Sequence, residues 1–173
     1  ILMARAAAQQ AHLANLTAQA DKMLGVLYYY QGELKSALKA YQASLAYYEA
    51  NEIDIYAVEC ANLLNNIALV YTDLGQPGLA LYSYQQAEPI YARLGTEEDK
   101  IDIRFNIAVL YISLRRFDSA IDMLMVTIKK RQELRDEHGV AAARATLGTA
   151  YKQSGQFELA KEHILTALHY FQK

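Results

Sequence analysis

Between Asn65 and Ala87 (NNIALVYTDLGQPGLALYSYQQA) apolar residues recur at three- and four-residue steps, with one polar break in the middle. Ile67, Ala68 and Tyr71 form one stripe; Ala80, Tyr84 and Ala87 form another. That period predicts two helices facing each other across a tight turn. Gly75 ends the first, because glycine tolerates the left-handed conformation that closes a helix. Pro77 opens the second, where its missing N–H costs nothing. Ala80 is short because two helix backbones approach closely only over small side chains.

The layout recurs. In LGVLYYYQGELKSALKAYQAS, Gly25, Tyr28, Gly32, Leu34, Ala37 and Tyr41 stand where Ala68, Tyr71, Gly75, Pro77, Ala80 and Tyr84 stand. Ala108, Tyr111, Phe117 and Ala120 repeat it, as do Gly148, Tyr151, Gly155, Phe157, Ala160 and Ala167. The leading small residues of the four copies lie 43, 40 and 40 residues apart. A fixed period of this size marks a repeat array. First helices are expected near 14–31, 54–74, 98–114 and 138–154. Second helices are expected near 34–50, 78–94, 117–134 and 157–172. The connectors EANEID, LGTEED and LRDEHG are polar, with acidic residues where the next helix dipole favours them.

Two positions break the pattern. Arg115 replaces the turn glycine, and a left-handed non-glycine residue costs about 1–2 kcal/mol, so that turn is expected to close differently. Pro89 falls inside a second helix, where it removes the bond to Gln85 and is expected to bend the helix. Residues 1–12 read as helical, either the end of a preceding repeat or an extension of the next helix.

The order small residue, Tyr, Gly, aromatic, Ala, aromatic, Ala resembles the tetratricopeptide repeat from about Ala14 to Lys173. The family's usual period is 34 residues. The longer period is similar to the long-helix type of bacterial signalling regulators, kinesin light chains and polarity adaptors. The resemblance implies an all-α, right-handed superhelical solenoid of four hairpins (about eight to nine antiparallel helices). Its repeats would span roughly 14–51, 54–94, 98–134 and 138–172. First helices would line a concave face that binds a peptide or partner segment.

Counting a helical face from each small residue gives that lining. Repeat one offers Lys22, Tyr29 and Tyr30. Repeat two offers Asn62, Asn65, Asn66, Leu69 and Asp73. Repeat three offers Phe105, Asn106, Val109 and Ile112. Asn66 and Asn106 share one register, and an amide both donates to and accepts from a peptide backbone. Leu69, Phe105, Val109 and Ile112 would make the groove centre apolar, or else fill the inter-repeat core. The resemblance also allows a test of the co-chaperone clamp for an acidic tail. Lys22 and Asn66 match it, but Val26, Asp102 and Asn106 depart from it, and Asp102 would repel such a tail.

Composition narrows the rest. The net charge of −2 gives no whole-molecule attraction to nucleic acid or anionic lipid. No apolar run reaches the roughly 20 residues of a membrane span. Cys60 is the single cysteine, so no internal disulfide forms; a reducing, cytoplasmic setting fits, with the periplasm left open. Cys60 reads as a buried small hydrophobe. His12, His138, His163 and His169 lack i,i+4 metal spacing. Neither a phosphate-binding loop nor a catalytic cluster is evident. The expectation is a non-enzymatic module with no cofactor and no metal. Lys129, Lys130, Arg131 and Arg135, with Arg115 and Arg116, read as a solvated basic face. The start at Ile1 suggests a piece of a longer protein with an attached output domain. The alternative is a self-associating scaffold, a homodimer packed through apolar end positions such as Leu165, Leu168 and Phe171.

Overall fold

The computed structural model describes residues 1–10, 13–51 and 53–172, the side chains of 10 and 53–55 excepted. His12 and the middle of the EANEID connector lie outside the described residues. Every regular element described is a helix. They are α1 (Leu2–Gln10), α2 (Ala14–Tyr30), α3 (Leu34–Ala50), α4 (Ile53–Asp73), α5 (Pro77–Leu94), α6 (Glu97–Ser113), α7 (Phe117–Glu133), α8 (Glu137–Gln153) and α9 (Phe157–Phe171). The eight long helices end within a residue or so of the positions expected from the repeat. The chain divides into two compact units, Ile1–Thr96 and Glu97–Lys173.

In the first unit α2 pairs with α3 and α4 with α5, and α3 packs on α4. α1 is a helix of its own against α2, held by an ion pair from Arg5 to the buried Asp21. The core gathers Tyr41, Tyr48, Cys60, Leu63, Ile67 and Val70. Gly25 is obligatory here: a Cβ at that position would stand 2.5 Å from the Tyr41 ring. In the second unit α6 pairs with α7 and α8 with α9, and α7 packs on α8. Its core gathers Ala108, Ile112, Ala120, Leu124, Ile128 and Leu147. Ala37, Ala80, Ala120 and Ala160 are all buried at the helix crossings. Tyr28, Tyr71, Tyr111 and Tyr151 are all half-buried against these cores.

The Arg115 turn does not close differently. Arg115 adopts φ 58°, beside 76° at Gly32, 69° at Gly75 and 84° at Gly155. Its N–H donates to the Ile112 carbonyl and that of Arg116 to the Tyr111 carbonyl. Gly75 and Gln76 make the same pair of bonds to Thr72 and Tyr71. Backbone groups alone build this helix cap. The exposed arginine side chain therefore tolerates the left-handed conformation at a local energetic cost. Helix α5 likewise continues through Pro89, which sits exposed and does not end it.

Candidate interaction surface

The first unit carries a polar seam between its two first helices, α2 and α4. Glu59, Asn62, Asn66, Leu69 and Asp73 recur at three- and four-residue steps and so share one face of α4. Both ends of that stripe are tied to α2. Lys22 Nζ bonds Glu59 Oε1 at 2.5 Å, and the Tyr29 hydroxyl donates to Asp73 Oδ2 at 2.8 Å. Burial first, then the bond to Asp73 and its negative charge, push the Tyr29 phenol up to about 12. Between the links lie the exposed Val26 and the half-buried Asn66 and Leu69. At the Lys22 end a cleft of about 470 Å³ opens, lined by Asn15, Gln19, Lys22, Tyr48, Tyr56 and Glu59. Tyr30 is 83% exposed beside Tyr29, their rings edge to face at 5.9 Å.

Asn62 does not face a ligand freely. Its Oδ1 accepts from the buried Tyr91 hydroxyl at 2.7 Å, which turns the amide toward α5. Asn65 is half-buried on the same helix.

The second unit departs further from the expected lining. Ile112 is 6% exposed and belongs to the core, so it is corrected from groove to interior. Ile107, five residues earlier on the same helix, is likewise buried, so both lie on inward-facing parts of α6. Phe105 packs against the core, and the Arg131 guanidinium lies 5.9 Å from its ring centre. The phenyl face is therefore covered rather than open. Val109 does reach the surface, at 38% exposure, and Asn106 is half-buried beside it.

Arg131 is also the exception within the basic cluster. Its side chain is 17% exposed and bridges Asp102 at 2.6 Å and Asp136. Asp136 caps α8 by accepting from the Gly139 N–H at 2.8 Å. That N–H bond, then Arg131, hold the Asp136 carboxyl below its usual range. Lys130 pairs with Glu133 on its own helix. Sequence reading missed this latch, because its partners come from α6, α7 and the start of α8. The motif Asp136–Glu137–His138–Gly139 carried the one available signal, an aspartate three residues before a glycine at a helix start.

Cys60 is buried, as expected, and burial pushes its thiol up. Among the described residues no group of three or more His, Cys, Asp or Glu side chains is placed to hold a metal. None of the described helices is long and apolar enough to cross a membrane.

Two family models described as tetratricopeptide repeat match the chain, one over residues 59–133 and one over 141–170, together more than half of it. No curated protein matches. Among solved structures, BtubC (BKLC) from P. vanneervenii is 24% identical, with a TM-score of 0.79, and covers 90% of this chain and 63% of its own. The Rap conjugation gene regulator of the plasmid pLS20, solved in complex with the Phr* peptide, is 15% identical with a TM-score of 0.81, covering 93% and 44%. Aspartyl phosphate phosphatase F from Bacillus subtilis is 17% identical with a TM-score of 0.80, covering 92% and 41%. The chain thus spans between two fifths and two thirds of these proteins, and at such identity the likeness concerns the fold. With the repeat turns, the buried alanines at each helix crossing and the two matching models in agreement, the chain belongs to the tetratricopeptide repeat family.

Proposed function

We propose that the α2–α4 face of the first unit binds an extended peptide or a partner protein's segment. In this reading the chain is a non-catalytic interaction module, the regulatory part of a larger signalling protein with an attached output domain. The carrying observation is the seam itself: a cleft of about 470 Å³ beside two cross-helix polar links, with Asn66 and Leu69 accessible between them. The links fix the spacing of α2 and α4, so the surface is organised before a ligand arrives, which lowers the cost of binding. Asn66 offers a donor and an acceptor to a backbone, and Leu69 with Val26 offers apolar contact. Tyr30 adds a flat, rigid ring at low entropy cost. That a regulator of the same fold was solved with a peptide supports this class of ligand. The same register on α6 carries Asn106, tested separately below. The net charge of −2 supports protein rather than nucleic acid as partner.

Selection of the chain against a random-peptide display library tests the reading. Enriched peptides are expected, and Asn66→Ala and Leu69→Asp should each lose them while retaining the helical circular dichroism spectrum. Peptides that bind both variants as well as the parent would refute the assignment of the face. The companion variant Asn106→Ala shows whether the second unit contributes.

A second reading has its own observation. Leu165, Leu168 and Phe171 are exposed along α9, an apolar strip that fits a second copy of this chain. Sedimentation equilibrium decides: a concentration-dependent dimer abolished by Leu168→Glu supports it, and a monomer at all concentrations rejects it.

A further inference from the structure

A second cleft, of about 490 Å³, lies in the second unit between the end of α7, the first turns of α8 and the last turns of α9. Its lining includes the polar side chains of Arg135, Arg144, Glu137, Thr166 and Tyr170 and the apolar ones of Val140 and Ala141. None of the ion pairs among the described residues engages Arg135 or Arg144. Arg144 is half-buried, and its Nη1 stands 3.3 Å from Nδ1 of His163 on α9. A guanidinium only donates, so His163 meets it as a neutral ring accepting through Nδ1. Desolvation first, and then the Arg144 charge, push the His163 imidazolium down. Tyr151 stacks on that ring, their centroids 5.5 Å apart. Arg144 therefore carries a partly desolvated positive charge beside a neutral neighbour, an arrangement that favours an incoming anion.

We infer that this cleft is a binding site for a single carboxylate, such as an acidic side chain of a peptide or protein partner. The charge balance selects the ligand. Asp136 is already engaged by Arg131 and the Gly139 N–H, so Arg135 and Arg144 stand against Glu137 alone. One surplus positive charge suits a monoanion, whereas Glu137 opposes a doubly charged phosphate. The two guanidiniums offer paired N–H donors to carboxylate oxygens, Tyr170 offers a hydroxyl, and Val140 and Ala141 receive the aliphatic stem. This site is separate from the α2–α4 face and does not depend on it.

The test is a nuclear magnetic resonance titration of the whole chain with N-acetyl-glutamate N-methylamide, its glutamine counterpart and N-acetyl-phosphoserine N-methylamide. The glutamate probe should give saturable shifts at Val140, Arg144 and Tyr170, and the glutamine probe should give none. Binding should also move the His163 titration upward, since the anion cancels the Arg144 charge. Glu162, on the same helix, already acts in that direction. Arg144→Gln should weaken the probe at least tenfold. Arg135→Gln, at an exposed position, should weaken it severalfold without touching the fold. Equal binding of the glutamine probe, preference for the phosphoserine probe, no saturation, or unchanged affinity in both variants would overturn the assignment.

Discussion

The Tyr29 hydroxyl on α2 donates to the Asp73 carboxylate at the end of α4, joining the first helices of adjacent hairpins at 2.8 Å. Removing it with Tyr29→Phe should cost about 0.5–1.5 kcal/mol, the net worth of such a bond, toward the low end because the pair is exposed. Urea unfolding of the two proteins measures the difference. Peptides selected by the parent chain should also bind the variant more weakly, because the spacing of α2 and α4 is then less fixed.

The same phenol predicts an alkaline limit. Burial pushes Tyr29 and Tyr41 up to about 12, and Tyr84 is raised as well. An unfolded tyrosine ionises near 10. The folded state therefore holds these protons more tightly, and its contribution is complete below pH 10 and lost as the pH rises toward 12. Thermal melts should show a falling midpoint across that window. Phenolate absorbance should show these tyrosines ionising after the exposed ones; a single common ionisation near 10 with no stability loss would contradict it.

Ala80 and Ala120 are fully buried where second helices cross first helices. Ala80→Leu or Ala120→Leu should overpack the crossing and cost about 1–3 kcal/mol. A denaturation curve unchanged from the parent would contradict the assigned helix register.

Gly139 is boxed in at the start of α8. A Cβ there would collide with Asp136 Oδ2 and Arg131 Nη1, the ends of two side chains. Gly139→Ala should push these two side-chain ends aside and loosen the Arg131 bridge to Asp136, at a net cost of about 1 kcal/mol or less, since alanine's better helix propensity offsets part of the loss. Hydrogen exchange should show the first turn of α8 losing protection before α4 does.

Most of the fold could be read from the chain because its signals are local. Each hairpin states its own stripe, turn residue and small crossing residue, as Ala68, Gly75 and Ala80 do. The candidate site was less legible. Helical spacing puts Ile112 within reach of the groove, but only its burial in one cluster with residues of α7 and α8, such as Leu124 and Leu147, shows that it is core. Asn62 looked like free lining because nothing in its own helix reveals Tyr91 on α5. Arg115 misled for the opposite reason: the cap's bonds are all backbone, so a glycine is favoured there but not required. Arg115→Gly should accordingly stabilise the chain by about 1 kcal/mol, relief of the left-handed arginine being partly offset by the freedom glycine gains when unfolded. Differential scanning calorimetry checks the sign.

The central claim is that the α2–α4 face receives a peptide. Amide chemical-shift mapping of the labelled chain with a display-selected peptide tests it most directly. The account predicts the largest changes at Lys22, Val26, Tyr30, Asn66 and Leu69. Changes confined to α3 and α5, with those five residues unmoved, would contradict it.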